Sequence, residues 1–210
     1  DANSIADGFQ EGISLEEIAS NGGFVGQSLG ITNNNIGAAR YAGIAFYARA
    51  RSGGDISQGG AVSGNTVAGE TGIKGAGLVS TIYASEGGGG VTVTQSLVLT
   101  NNSFSGNTGD GMFLSALANG GADVLQDLSL SGNVIDGNGD DGVHALAFNA
   151  GTTQALTFVN GSNNSVTNND AFGVYGSNGG GAVQTISLGN SILTGNGTAA
   201  TGGNATFSNP

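Results

Sequence analysis

Apolar residues recur along this chain in short alternating runs rather than in helical stripes. After Gln27, Gln95, Gln126 and Gln184 the pairs Leu29/Ile31, Leu97/Leu99, Leu128/Leu130 and Ile186/Leu188 occupy alternate positions. After Gln154 the pair is Leu156/Phe158, and after Gln58 it weakens to Gly60/Val62. Small or polar residues such as Ser28, Ser96, Asp127 and Thr185 stand between them. Such period-two alternation predicts a strand with one buried face. A second short strand is predicted at the phrase Asn, any residue, apolar residue: Asn3-Ser-Ile5, Asn34-Asn-Ile36, Asn65-Thr-Val67, Asn102-Ser-Phe104, Asn133-Val-Ile135 and Asn164-Ser-Val166. A third begins nine residues past the Asn, at Gly12-Ile13, Gly43-Ile44, Gly111-Met112, Gly142-Val143 and Gly173-Val174. The coil starting at Asn65 reaches Gly72-Ile73 two residues early.

The leading asparagines lie 31, 31, 37, 31 and 31 residues apart. A fixed period of this size marks a repeat architecture, in which one unit cannot bury its apolar face without its neighbours. Hairpins would not hold three strands in one phase over six repeats. Winding in one direction does, and it stacks each strand on its equivalent at about 4.8 Å. The reading is all-β: a parallel β-helix, or solenoid, of about seven coils of ~31 residues with three short strands each, forming one domain over residues 1–210. Asn3, Asn34, Asn65, Asn102, Asn133 and Asn164 then form one structural ladder, and Gln27, Gln58, Gln95, Gln126, Gln154 and Gln184 another. Asn107, Asn138, Asn169 and Asn196 make a further Asn column. Ser14-Leu-Glu-Glu17 also fits a capping box, so a helical turn within 15–20 competes there with the strand over 12–15.

Composition narrows the function classes. Fifteen acidic residues face four basic ones, Arg40, Arg49, Arg51 and Lys74, for a net charge of -11. Nucleic acid and anionic membranes bind through Lys and Arg, so both are set aside as partners. The 42 glycines would suit a linker, but a linker lacks the regularly placed apolar residues. The absence of Cys excludes disulfides and thiolate metal sites. No run approaches the ~20 apolar residues of a membrane-spanning helix.

The phrases Leu130-Ser-Gly-Asn133-Val-Ile-Asp-Gly-Asn138 and Gly139-Asp-Asp-Gly-Val143 resemble right-handed parallel β-helix repeats of the pectate-lyase-like superfamily. In character they are similar to the repeat arrays of bacterial surface and secreted proteins. That resemblance implies a right-handed coil and an extracellular or cell-surface location in bacteria. Its functional range runs from lyases, epimerases and hydrolases to adhesins and passive stalks. The resemblance would place an Arg or Lys base beside acidic calcium ligands in a lyase. Here the four basic residues sit in early coils, away from Asp140 and Asp141. The Asp-Pro-His motif of alginate epimerases is absent too.

The outward column of the third strand is read as Ser14, Ala45, Lys74, Phe113, His144 and Tyr175. Phe113, His144 and Tyr175 would make an aromatic strip able to stack on sugar rings. Asp140, Asp141 and His144 are the catalytic alternative, an imidazole beside carboxylates. Asp110, Asp140 and Asp141 are candidate calcium ligands. Cross-coil packing of the rings and turn-making by the aspartates explain the same residues without chemistry, and no fuller catalytic constellation accompanies them. On this reading no cofactor is needed, with calcium the one candidate.

Two further expectations concern assembly. Asn3-Ser-Ile5 is already in phase, and Gly195-Asn196 through Asn204-Ala-Thr-Phe207 still has coil character. No cap is legible, so the chain reads as a slice of a longer solenoid or a subunit stacking end to end on itself. The function expected is a non-enzymatic extracellular structural module: a fibre subunit, stalk or adhesin shaft. A polysaccharide-binding or carbohydrate-active β-helix is the alternative.

Overall fold

The structure, a computed structural model, describes residues 3–6, 10–72, 75–85 and 90–208. Among these there is no helix, and three parallel sheets wind into a β-solenoid of about six turns, one fewer than the sequence count. The first sheet stacks six three-residue strands: Ser4–Ala6, Asn35–Gly37, Thr66–Ala68, Ser103–Ser105, Val134–Asp136 and Ser165–Thr167. The second stacks Glu11–Ala19, Ala42–Arg51, Ala76–Ser85, Met112–Asn119, Val143–Phe148, Phe172–Gly179 and Ala199–Gly203. The third runs from Phe24–Thr32 through Asp55–Ser63, Thr92–Thr100, Asp123–Ser131, Thr152–Phe158 and Val183–Ser187 to Thr206–Ser208.

Register follows the sequence phase. In the first sheet Ile5, Ile36, Val67, Phe104, Ile135 and Val166 are stacked in order. In the third, Leu29, Gly60, Leu97, Leu128, Leu156, Ile186 and Phe207 form one column. These residues meet Ile44, Leu78, Met112, Val143 and Val174 of the second sheet in one continuous core. Each fully buried Leu or Ile stabilises it by roughly 1.5–3 kcal/mol. Where the second and third sheets converge the core narrows to Ala48, Ala50, Ala84, Ala116 and Ala118, packed on Ile56, Val93 and Val124.

Three local expectations are corrected. Residues 15–20 contain no helical turn: the strand continues to Ala19, pairing Ile13 with Ile44 through Ala19 with Ala50. A ladder of parallel hydrogen bonds outweighs one local capping box. Secondly, the marker of the long coil is Gly77-Leu78, not Gly72-Ile73, because Ile44, Leu78 and Met112 share one register. That register puts Val79, rather than Lys74, between Ala45 and Phe113 in the outward column. Ile73, Lys74 and residues 86–89 of the Gly-rich insertion lie outside the described residues.

The Gly marker has a steric cause. A Cβ on Gly111 would come within 2.3 Å of Ile135 and 2.6 Å of the Gly142 carbonyl oxygen, and one on Gly142 within 2.4 Å of Val166. The turn before the first sheet has a conformational one. Asn33, Gly64, Asn101, Gly132 and Asn163, each just ahead of a ladder Asn, all adopt φ between 55° and 66°, a region open to Gly and tolerated by Asn.

The Asn ladder is continuous. Asn3, Asn34, Asn65, Asn102 and Asn133 each donate Nδ2–H to the Oδ1 of the next coil's Asn, over 2.9–3.3 Å. The same Oδ1 atoms also accept the backbone N–H of the preceding Asn. The Gln ladder runs in the opposite sense: Gln184, Gln154, Gln126 and Gln95 each donate to the preceding coil's Gln, at 2.6–2.9 Å. Gln27 shares the register but not the ladder. Gln58 donates instead to buried Glu17, at 3.0 Å, and Gln27 Oε1 is left buried without a partner.

Candidate functional site

At the entrance to the second sheet each coil places one residue at an equivalent position. Down the column these are Glu11, Ala42, Ala76, Asp110, Asp141, Phe172 and Ala199, two positions before the first inward residue. Adjacent coils thus supply two carboxylates, and the outward residue three positions past Asp141 is His144. Backbone amides orient both acids: Asp141 N–H donates to Asp110 Oδ1 at 3.0 Å, and Phe172 N–H to Asp141 Oδ1 at 2.9 Å. Their second oxygens face one nitrogen. Asp141 Oδ2 lies 3.0 Å from His144 Nδ1, and Asp110 Oδ2 lies 3.8 Å from it.

The surroundings are apolar. Phe113 and Tyr175 flank the imidazole on neighbouring coils, at centroid distances of 5.5 and 4.9 Å. The rings interlock at 58° and 64° instead of lying flat in one plane, and Phe172 packs on Tyr175 at 5.4 Å. A cleft of ≈ 250 Å³ opens beside them, lined by Tyr41, Ala76, Val79, Asp110, Phe113, Asp140 and His144. The register therefore joins Phe113, His144 and Tyr175, and unites His144 with Asp141 and Asp110. Asp140 is exposed on the cleft wall and makes no contact with His144 comparable to theirs.

Electrostatics follow from this crowding. Burial pushes the Asp110 carboxyl up to about 7; His144 and the Asp141 amide oppose the rise, while the Asp141 and Asp140 charges add to it. Burial alone would lower the pKa of His144. The Asp141 hydrogen bond and the charges of Asp110, Asp141 and Asp140 outweigh it, and the imidazole is raised. Chemically the site can share a proton between imidazole and carboxylate. One ligand atom each from Asp110, Asp141 and His144 also lies within 4.8 Å of the others, close enough to hold a metal ion.

Other polar features differ in kind. A larger open groove of ≈ 350 Å³ runs over Glu16, Tyr47, Arg49, Thr81 and Tyr83. Its groups are engaged with neighbours: Arg49 stacks on Tyr83 at 5.5 Å, and the Tyr47 hydroxyl donates to Glu11 at 3.4 Å. Glu70, unremarked in the sequence reading, occupies the position below Asn107 in the second Asn column, its N–H donating to Asn107 Oδ1 at 3.3 Å. Its side chain is buried with neither oxygen in a well-formed hydrogen bond; burial pushes its carboxyl up to about 7, and the nearby Ala39 backbone only partly opposes the rise. The available signal was its place five residues past Asn65, where later coils carry Asn. The chain matches no known protein family, no curated protein and no solved structure.

Proposed function

We propose that this chain is a structural shaft segment of an extracellular or bacterial cell-surface assembly — stalk, adhesin shaft or fibre — whose task is mechanical. The observation that supports this reading is the continuity of the stacking. Three parallel sheets and the side-chain amide columns run along the axis in register, with the interior filled by side chains. Lengthwise load would be shared among backbone ladders and buried amide bonds. The first coil leaves Ile5, Ile13, Leu15 and Leu29 only partly buried, whereas their equivalents in the middle coils, such as Phe104, Met112, Leu114 and Leu97, are covered. Asn3, Ile13, Leu15, Leu29 and Ile31 line a concavity of ≈ 310 Å³ at that end. Further β-helical coils, in the same polypeptide or another copy, would cover this face by strand addition.

Electron microscopy and light scattering over a concentration series test the reading. End-to-end rods are expected, shortened by Leu29→Asp on the open face. Compact particles of constant mass at every concentration would sink the stacking mechanism. Cleavage of an acidic polysaccharide, lost in an Asp141→Ala/His144→Ala double variant, would sink the non-enzymatic reading and favour a carbohydrate-active one.

A further inference from the structure

We propose that Asp110, Asp141 and His144 form a binding site for a divalent transition metal of the zinc class, with its open coordination positions facing the cleft. Four observations converge on it. The first is geometric. Zinc holds nitrogen and carboxylate oxygen at about 2.0–2.2 Å, so neighbouring ligand atoms of a tetrahedral site stand roughly 3.4 Å apart. The two Oδ2–Nδ1 separations, 3.0 and 3.8 Å, bracket that spacing.

The second is preorganisation. Each aspartate has its Oδ1 engaged by a backbone amide of the next coil, which aims its Oδ2 at the imidazole. The Nδ1 of a neutral imidazole has one proton at most, and it serves Asp141 at 3.0 Å. Asp110 Oδ2, at 3.8 Å, is beyond hydrogen-bond reach of that nitrogen. A cation seated among the three atoms serves both carboxylates at once, as a proton does not.

The third comes from the repeat. Every coil presents the same two positions, yet Ala76 with Val79 precedes this site and Phe172 with Tyr175 follows it. The polar trio departs from the apolar pairs of the coils on either side, and the rings of Phe113 and Tyr175 pack against the imidazole. The fourth is access, since the cleft reaches Asp110 and His144 and carries Asp140 on its wall. Three protein ligands and an open approach are the pattern of a zinc site that keeps a position for water or a ligand oxygen. An imidazole donor and so few oxygens do not suit calcium, which takes 6–8 oxygen ligands.

The chelator-treated full chain is titrated with Zn2+, and separately with Ca2+. His144 is the only histidine, so its ring-nitrogen NMR signals report this site alone. Zinc is expected to bind with one-to-one stoichiometry, to displace the Nδ1 proton and shift the Nδ1 signal, and to outcompete calcium. Asp110→Asn retains an acceptor for the Asp141 amide, and His144→Phe retains the ring stack. Each should weaken zinc binding on the order of 10-fold or more, at least the effect of losing an outer-shell partner, while the metal-free melting curve stays cooperative. Three results would overturn the site: no saturable zinc binding, zinc binding that survives His144→Phe, or a ring signal unmoved by zinc. Should Asp110→Asn fail to fold, the wild-type ring signal still decides. Shaft stacking is read by particle length, so either proposal can fail alone.

Discussion

Two side-chain columns stand three positions apart on the same corner of the solenoid and begin with the same move. Asn107, Asn138 and Asn169 each accept a backbone amide or donate one to the neighbouring coil's side chain, and so do Asp110 and Asp141. They differ in what the second side-chain atom can do. The amide nitrogen of Asn138 donates onward to Asn169 Oδ1 at 2.8 Å and to the Phe104 carbonyl at 3.2 Å, so the column closes on itself. A carboxylate has no donor to pass on. Its second oxygen stays an acceptor, and in Asp110 and Asp141 it turns to a shared imidazole. The amide makes a ladder, and the carboxylate makes a site.

Exchanging the two chemistries gives the largest expected effect. Asn138→Asp keeps the acceptor for Asn107 but removes both donated bonds and buries a charge. It should cost about 3 kcal/mol at pH 8 in a denaturant titration, and less as the pH falls and the new carboxyl takes up a proton. Wild-type stability at pH 8 would mean that amides and acids are interchangeable in these columns.

Glu70→Asn tests the reverse and should extend the column below Asn107. Because burial raises the Glu70 carboxyl from 4.5 to about 7, the folded state binds the proton more tightly than the unfolded one. Stability relative to the variant is therefore retained below pH 4.5 and lost as pH rises through 7. The variant should be about 2 kcal/mol more stable than wild type at pH 8, with the difference vanishing near pH 4. A pH-independent difference would remove Glu70 as its source.

Asp110→Asn, in chelator at pH 8, should gain about 1 kcal/mol by ending the opposition of like charges. A large loss would show that the pair of acids supports the coil rather than straining it. The smallest effect belongs to Asp136. Its Oδ1 accepts bonds from Thr167 at 2.6 Å and Asn168 at 2.8 Å near the surface. Asp136→Asn should change the melting midpoint by no more than about 0.5 kcal/mol allows, marking burial beside a second carboxylate, not charge alone, as what sets Asp110 apart.

The fold was legible because stacking converts sequence period into spatial register without remainder. Asn133 to Asn164, or Gln95 to Gln126, needs only subtraction. Register failed where the chain carries extra residues. Between Asn65 and Asn102 the sequence offers both Gly72-Ile73 and Gly77-Leu78, and only the strand register, which pairs Leu78 with Ile44 and Met112, selects Gly77. The site was half legible. Asp110 and Asp141 are 31 apart with His144 three beyond, yet Asp140 and Asp141 look alike in sequence. Which of them meets His144 is set by the Phe172 amide one coil later, which holds Asp141. Glu17 was hidden for a related reason: its partner, Gln58, lies 41 residues away on another sheet and belongs to a different periodic series.

The constant spacing of the ladder contacts also bears on growth. Every link joins residues about one repeat apart, mostly 31 and never more than 37 along the Asn series. Appending a coil therefore adds contacts of the same sequence separation as those already present, and the search each coil faces in folding does not lengthen with the protein. Overall length becomes an adjustable quantity, set by duplicating or deleting one repeat of DNA and changing the reach by about 4.8 Å per step. The coils with 37, 28 and 30 residues between ladder partners show that the copies need not be of equal length.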